Sequence, residues 1–284
     1  MTESSRTKHF TNARATNFYY AFVFLPPEKR HAIEAVYAFA RRGDDLTDSG
    51  LSSSEAYTGL DLYRQELAAC YAGDASLLAT PELRALAESI QRFQIPRQPF
   101  EDLILGLEMD LTRTRYTTFE ELALYCYRVA STIGLISIEI FGYQNPRTRD
   151  YAVNLGTALQ LVNIVRDIQS DAQRGRIYIP QDDLDRFGVR TGELLAGAYN
   201  DPFIELMQYE CDRARGYFEK AHQMLSAEDR RSMVAAEIMA AIYWRLLGRI
   251  QKRAYNIFGE RVRISRPVKL WTALAVYLGA AWQK

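Results

Sequence analysis

The 284-residue sequence predicts an all-α protein that folds as a single domain, residues 1–284, around one hydrophobic core. Glycine and proline fall mostly between long stretches of helical periodicity, and the alternation typical of strands is scarce. No Ser/Gly-rich linker, repeat of fixed period or low-complexity segment divides the chain. A hydrophobic content of 48% is typical of a soluble globular protein.

The helices can be placed in order by their start and stop signals. Pro26-Pro27 opens a helix that runs toward an acidic motif at residues 44–48, because proline suits a first helical turn. Residues 50–54 form a loop whose serines are placed to cap the next helix. Residues 268–282 form an apolar terminal helix that packs on the core and is too short to span a bilayer. Further breaks are expected near residues 73–74, 80–81, 95–96, 142–146, 174–175, 188 and 200–202.

Charge and cysteine usage narrow the function and the compartment. The chain has 35 basic and 35 acidic residues, so its formal net charge is zero and no overall field attracts nucleic acid. Cys70, Cys126 and Cys211 lie far apart and are odd in number, which favours a reducing cytoplasm. The apolar run at residues 18–25 has no small-residue cleavage site after it, so we do not interpret it as a signal peptide.

Several common chemistries find no support in the sequence. It has no Gly-x-Gly-x-x-Gly after a strand and no Walker-type Gly-Lys-Ser/Thr, so a dedicated nucleotide-binding fold is not indicated. Glu219 and His222 match the Glu-x-x-His of di-iron bundles, but the motif occurs once and those sites need two copies. We therefore expect His222 on the surface. His9 and His31 have no partner pattern from which a zinc site could be built.

Two aspartate pairs at helical spacing carry most of the functional information. Asp44/Asp48 and Asp167/Asp171 are each four residues apart, and Asn163 lies one turn before the second pair. Residues four apart share one helix face, so each pair offers a fork of carboxylate oxygens. Mg²⁺ prefers such oxygens and commonly bridges them to phosphate. The pairs predict a diphosphate held through metal, while the alternative for either pair alone is an exposed polar surface.

Both pairs continue stripes that border apolar surface. Tyr37 and Arg41 precede the first pair on the same helix face, as Gln160 and Asn163 precede the second. Basic residues near the stripes suit a diphosphate, because a guanidinium binds phosphate oxygens in a bidentate fork. The alternative is that they pair with the aspartates themselves, and for Arg41 the partner would be a residue four positions on. The candidate guanidinium groups are those of Arg41, Arg166 and Arg176.

Three segments together resemble the squalene/phytoene synthase family. LGTALQLVNIVRDIQSDAQRGRIYIP at residues 155–180 is similar to its second signature, and YAFARRGDDLTD at residues 37–48 to its first. Residues 125–143 resemble its central helix, in which small residues flank a substrate channel. The resemblance covers about residues 17–261. It implies an isoprenoid-synthase-type helical bundle around a central cavity.

The resemblance also implies a set of site residues. Many members carry a basic residue and a serine where this chain has Thr16 and Asn17, which bring no positive charge. The implied catalytic residues are Tyr37, Arg41, Tyr125, Arg166, Arg176 and Tyr178. The implied substrate-binding residues are Thr16, Asn17, Phe18, Arg41, Gln160, Arg166, Arg176, Tyr243 and Arg261. The implied metal ligands are Asp44, Asp48, Asn163, Asp167 and Asp171.

Within the family, residues 16–22, residues 106–111 and the central helix look most similar to bacterial presqualene diphosphate synthases of hopanoid pathways. That similarity implies condensation of two farnesyl diphosphates, with several Mg²⁺ ions or Mn²⁺ and without NADPH. The alternatives are phytoene synthase acting on geranylgeranyl diphosphate, squalene synthase, and a non-catalytic helper protein of the same fold.

The expected surroundings of the protein follow from the same resemblance and from the carboxyl-terminal helix. The expected partners are prenyl diphosphates and not nucleic acid, and contact with downstream enzymes of the pathway stays open. Lys269, Trp271, Tyr277 and Trp282 suit a membrane surface. We therefore expect a cytoplasmic protein that contacts the inner face of the membrane.

Overall fold

The computed structural model describes residues 17–48, 52–73 and 76–282, and within them it contains α-helices, a π-helical segment and a 3₁₀ turn but no strand. This confirms the predicted all-α class. The π-helical segment spans Tyr127–Ser131 and the 3₁₀ turn spans Ala227–Asp229. The α-helices are α1 (Asn17–Phe22), α2 (Pro27–Asp48), α3 (Ser53–Ala72), α4 (Pro81–Phe93), α5 (Gln98–Thr112), α6 (Phe119–Cys126), α7 (Thr132–Phe141), α8 (Thr148–Gln173), α9 (Gln181–Arg186), α10 (Thr191–Ala196), α11 (Asp201–Met224), α12 (Val234–Lys252) and α13 (Arg266–Trp282).

The helix boundaries follow local signals in the sequence. Helix α2 begins at Pro27, as predicted from the proline pair. Ser52 caps α3 in a capping box, in which Glu55 donates its backbone N–H to the serine hydroxyl and accepts the backbone N–H of Ser52. The αL residue Gly73 ends the same helix. These contacts fix where α3 begins and ends.

Helix α8 lies at the centre of the bundle and packs against α7, α11, α12 and the π-helical segment. Two glycines allow this close packing. A Cβ on Gly156 would lie 2.5 Å from the Ser131 Cα, and one on Gly134 would lie 2.8 Å from the Ala152 carbonyl oxygen. The helix predicted at residues 125–143 therefore runs as α6, a π turn and α7, pressed onto the middle of α8.

Residues 119–141 are long and apolar enough, by length and composition alone, to cross a membrane. In the fold this run packs against α5 and α8, and half of its most apolar window is buried inside the protein. Such a run is also what the core helix of a folded bundle looks like. It adds only weak evidence for a membrane span.

The last helix packs on the core, as expected, but only with one of its faces. It lies against α12 and beside α1, and its Thr272 and Ala273 are buried. Tyr277 stacks on Phe24, the second residue after α1, with ring centroids 4.6 Å apart. Trp271 is 66% exposed, so the other face of α13 is open.

The predictions for the other singled-out residues are consistent with the structure. Cys70, Cys126 and Cys211 are buried free thiols, and His222 is exposed.

Candidate active site

A deep cavity lies between α1, α2, α7, α8 and α12 and encloses about 980 Å³ of space, including the open solvent at its mouth. Its wall is almost entirely aliphatic and aromatic. Helices α1, α2 and α12 each add one aromatic residue toward the same end, and α8 adds two polar residues. The lining residues at that end are Phe18, Tyr37, Gln160, Asn163 and Tyr243.

Along one face of α8, the side chains change from apolar residues that line the cavity to polar and then acidic residues. Tyr151, Leu155 and Leu159 line the cavity, followed along the helix by Gln160 and Asn163. At about 1.5 Å per residue, the stretch from Tyr151 to Asn163 spans about 18 Å. The second aspartate pair continues this face by one and two turns. The cavity therefore offers an apolar tube that ends at the second acidic motif.

Helix α2 shows the same order as α8, with cavity-lining residues first and an acidic motif after them. Helix α2 lines the cavity with Ile33, Val36 and Tyr37 before it reaches the first acidic motif. Phe18 packs on the Tyr37 ring with centroids 4.9 Å apart. Phe141 lines the cavity near the start of α2, where the Lys29 ammonium donates to its carbonyl oxygen at 2.6 Å. Both acidic motifs thus follow helices that leave the cavity at the same end.

Asp167 is held by two guanidinium groups. Arg261 donates from Nε and Nη2 to the two carboxylate oxygens at 2.7 and 2.6 Å, and Arg166 also forms a bidentate pair with it. The carboxylate is only 14% exposed. Burial alone would raise the pKa of Asp167, but hydrogen bonds from Arg166 and Arg261 bring that pKa below its ordinary value. Asp167 is therefore an ionised carboxylate at the mouth of the cavity.

Asp171 behaves in the opposite way. Burial, and then the negative charge of Asp167, raise the pKa of Asp171 from 3.8 to about 7, although Arg174 and Arg176 oppose the shift. Asp167 and Asp171 lie one turn apart and repel each other when both are ionised, and a bound cation would reduce that repulsion.

Arg176 brings the two acidic motifs together. Its Nη2 lies 3.4 Å from the carbonyl oxygen of Thr47, the residue before Asp48, and it acts electrostatically on Asp171. The ends of α2 and α8, more than a hundred residues apart in sequence, are therefore bridged by one guanidinium. The helix ends that carry the two motifs thus lie close together, and the metal site between the two aspartate pairs stays a prediction.

The first motif is more open than the second. Asp44 is exposed, and Arg41 lies 3.5 Å from Asp45 in an exposed pair, so the predicted alternative partner of Arg41 is present. Asp48 ends α2, but its side chain lies outside the described residues, as does that of Asn17; Thr16 lies outside them altogether. Their proposed roles remain predictions.

Three further predicted residues lie in a polar cluster beside Asp171. The Tyr125 and Tyr178 hydroxyls lie 3.3 Å apart, and their rings stack with centroids 5.1 Å apart. Both hydroxyls reach the carboxylate of Asp110 on α5, at 3.2 and 3.0 Å. Arg176 lies 3.3 Å from the Asp110 carbonyl oxygen. The sequence analysis missed Asp110 as a site residue, although it lies in the GLEMDL segment at residues 106–111.

The donor chemistry at the mouth fits Mg²⁺, since carboxylate and amide oxygens are the ligands that this ion prefers. Asn163 reinforces this, because its amide nitrogen is 3.2 Å from the Gln160 side-chain oxygen, which leaves the Asn163 oxygen to accept. Among the residues that the structure describes, no three acidic, histidine or cysteine side chains already converge on one point. The metal ligand set remains a prediction.

Comparison with known proteins agrees with this arrangement. Residues 11–268 match the profile of the squalene/phytoene synthase family. The chain is 37% identical to a 15-cis-phytoene synthase of Synechocystis sp., over 97% of this chain and 83% of that protein. It is 39% identical to a phytoene synthase of Mycobacterium tuberculosis, over 95% and 88% of the two chains.

Solved structures place the fold in the same group. A dehydrosqualene synthase in complex with ligand superposes with a TM-score of 0.83 at 29% identity, covering 97% of this chain and 96% of that one. Squalene synthase HpnC from Alicyclobacillus acidocaldarius superposes with a TM-score of 0.79 at 30% identity, covering 88% and 93%. The bundle is therefore of the isoprenoid-synthase type, and the chain belongs to the squalene/phytoene synthase family of prenyltransferases.

Proposed function

We propose that this protein joins two prenyl diphosphates head to head and that its preferred substrate is geranylgeranyl diphosphate, which gives phytoene. The observation that carries the proposal is an apolar cavity from which α2 and α8 both lead into an acidic motif at the same end. An apolar tube binds the prenyl tails, and the charged mouth binds the diphosphates.

The choice of the longer substrate follows from the relatives. Phytoene synthases are 37 and 39% identical to this chain over at least nine-tenths of its length. Squalene-type synthases appear among the solved structures, at 29 and 30% identity. These comparisons support the phytoene alternative better than the presqualene diphosphate reading of the sequence.

The reaction begins with departure of one diphosphate, which leaves an allylic cation at C1. The aliphatic wall between Leu155 and Leu159 excludes water, so the cation is not quenched as an alcohol. The 2,3 double bond of the second prenyl chain attacks C1, and loss of a proton closes a cyclopropane. For phytoene, the second diphosphate leaves, the carbon skeleton rearranges, and a second proton is lost without any hydride donor.

The charged mouth would stabilise both departures. Asp44, Asp48, Asn163, Asp167 and Asp171 would hold the Mg²⁺ ions, whose charge, when they are bound, makes a diphosphate a better leaving group. Arg41 and Arg176 would bind diphosphate oxygens, while Arg166 and Arg261 hold Asp167 in its ionised form. Tyr37 and Tyr243 line the cavity next to this mouth, where their ring faces favour a nearby cation.

The test is product identification with purified protein. Farnesyl and geranylgeranyl diphosphate are supplied separately with Mg²⁺ or Mn²⁺, with and without NADPH, and products are identified by mass. Phytoene from the C20 substrate, independent of NADPH, is expected. Presqualene diphosphate or squalene formed at a higher rate from the C15 substrate would overturn the choice of substrate, and no product from either would support the non-catalytic alternative.

We also propose that α13 docks the protein on an anionic lipid surface. Leu270, Trp271, Leu274 and Leu278 of this helix are exposed. Residues 261–282 contain four arginine or lysine residues and no acidic residue, although the whole chain is neutral. Aromatic and aliphatic side chains flanked by cations suit the interface of an anionic bilayer. A lipid-docked enzyme at the inner face of the membrane would take up prenyl tails from the bilayer and release its product to enzymes of the next step.

Vesicle flotation tests this docking. The wild type should float with vesicles that contain an anionic lipid and much less with neutral phosphatidylcholine vesicles. Trp271→Ser combined with Leu274→Ser should lose flotation, whereas Leu62→Ser should not, because Leu62 is 56% exposed but lies on α3. Equal flotation of all three proteins would refute the proposal.

A further inference from the structure

Asp110 carries a carboxylate that contacts two buried tyrosines and belongs to neither aspartate pair. It lies in the last turns of α5. Tyr178 donates its hydroxyl to Asp110 Oδ1 at 3.0 Å, and Tyr125 donates to Oδ2 at 3.2 Å. Both tyrosine side chains are buried. One carboxylate thus takes a hydroxyl on each oxygen, and it fixes the direction in which both phenols point.

The rings behind these hydroxyls form a compact aromatic group. The Tyr116 ring lies 5.6 Å from that of Tyr125 and 5.9 Å from that of Tyr178. The hydroxyl of Tyr116 is buried and has no hydrogen-bond partner, so the packing of the three rings alone does not supply partners for their hydroxyls. Burial and the negative charge of Asp110 raise the pKa of Tyr178 and of Tyr125 well above the ordinary value, so both hydroxyls remain donors.

Asp110 also holds the segment that carries Arg176. Its carbonyl oxygen lies 3.3 Å from Arg176 Nη2. Next to it, the backbone N–H of Ile177 donates to the Thr114 carbonyl at 2.9 Å, and Arg115 donates to the Gly175 carbonyl at 2.6 Å. The segment of residues 174–180 is therefore pinned to the end of α5, and the Asp110 side chain adds to this through its hydrogen bond with Tyr178.

We propose that Asp110 is a positioning residue of the condensation, which acts through Tyr178, Tyr125 and Arg176 on the diphosphate at the mouth. The inference rests on the proposed function. Arg176 lies between the two acidic motifs, so a displaced segment 174–180 moves a phosphate-binding guanidinium away from the point where charge develops on the leaving group. The apolar tube is lined by other helices and is left intact.

The test compares Asp110→Asn with Asp102→Asn. Asparagine has nearly the same shape, but its amide group cannot accept the second tyrosine hydroxyl. Asp102 is a matched control, because it lies two turns earlier on α5 and accepts the Tyr127 hydroxyl at 3.2 Å. For Asp110→Asn we expect kcat to fall by about 10- to 100-fold, as for loss of one charge-assisted hydrogen bond, with KM changed less than about threefold. Asp102→Asn should keep both constants.

A double-mutant cycle separates positioning from general damage to the fold. If Asp110 acts through the tyrosines, Asp110→Asn should cost much less in a Tyr125→Phe/Tyr178→Phe background than in the wild type. Equal losses in both backgrounds would overturn the proposal, as would a loss of kcat that is matched by Asp102→Asn.

A binding experiment covers the case in which the wild type does not turn over either substrate, which would count against the proposed function alone. Inorganic diphosphate carries the full charge that the leaving group gains on departure, which the intact substrate does not. Its calorimetric titration in the presence of Mg²⁺ should then still show weaker binding to Asp110→Asn than to the wild type and Asp102→Asn. Equal binding to all three proteins would overturn the role of Asp110.

Discussion

Gly156 lines the cavity where α8 packs on the π-helical segment, and replacing it with alanine tests how tightly the bundle is packed there. The added Cβ would lie 2.5 Å from the Ser131 Cα and 2.7 Å from the Ser131 nitrogen, both in the backbone of the π-helical segment. Ordinary contact begins at 3.4 Å. The π segment and α8 would therefore have to separate by about 0.9 Å.

Separating the π segment from α8 would also stretch buried hydrogen bonds, which adds to the cost of overpacking. The Ser131 hydroxyl is buried, donates to the Val153 carbonyl oxygen at 2.7 Å and lies 3.1 Å from the Thr157 hydroxyl. Overpacking costs about 1–3 kcal/mol, and each stretched buried hydrogen bond adds about 1 kcal/mol. The gain from replacing glycine by alanine in a helix is about 1 kcal/mol. The net expectation for Gly156→Ala is a loss of about 2–4 kcal/mol.

The matched control is Gly216→Ala in α11, where a Cβ would meet no atom within 4 Å. The same substitution should stabilise the protein there by about 0.5–1 kcal/mol. Urea unfolding followed by circular dichroism measures both differences, and turnover of the preferred prenyl diphosphate measures the effect on the cavity. If the two variants had equal stability, the close approach of the π segment to α8 would not constrain the fold, and the reasoning would fail.

Three further outcomes are expected. Asp44→Asn and Asp171→Asn should each abolish most turnover while leaving the helical circular dichroism intact; normal activity at limiting Mg²⁺ in either variant would remove its aspartate from the metal site. The thermal stabilisation that Mg²⁺ provides should grow between about pH 6 and 8, since the pKa of Asp171 is about 7 and its proton must leave for a cation to bind. Without metal, protein stability should change with pH in the opposite direction. The raised pKa of Asp171 makes the fold lose stability as the pH rises from 3.8 to about 7. Differential scanning fluorimetry with and without Mg²⁺ separates these two effects of pH. Ala236 lies on the cavity wall at the amino-terminal end of α12. Ala236→Phe should shorten the tube and reduce turnover of the C20 substrate more than that of the C15 substrate, as measured by competition between the two. An unchanged ratio of the two turnover rates would show that this wall does not limit chain length.

The parts of the fold that depend on local signals were predictable. The proline at the start of α2, the serine cap of α3 and the loop near residues 142–146 follow from residue types that favour one backbone conformation. The aspartate pairs were also predictable as groups that share a face, because helical spacing fixes them. The prediction that the two pairs meet at one end of a cavity depended on the resemblance to a family and not on spacing alone.

Contacts between distant segments were not predictable from the residues. Asp110 looks like an ordinary helix residue in the sequence, and only the fold brings it to two tyrosines that lie 15 and 68 positions further along the chain. The π turn at Tyr127–Ser131 has no composition signal, and its last residue lies directly against Gly156 of α8. Which residues of α13 are buried and which are exposed was likewise not predictable in detail, because apolar residues at helical spacing do not reveal which of them finds a partner.

The charge balance of the second motif would let one mouth serve both metal and diphosphate. Asp167 and Asp171 contribute two carboxylates, and burial raises the pKa of Asp171 to about 7. The guanidinium groups that act on these carboxylates are those of Arg166, Arg174, Arg176 and Arg261. They outnumber the two carboxylates before any metal binds, so the second motif taken by itself favours an anionic diphosphate. We expect a phosphate that binds Arg261 to weaken its pair with Asp167, which would make that carboxylate more available to a cation and would couple binding of the two partners through one side chain.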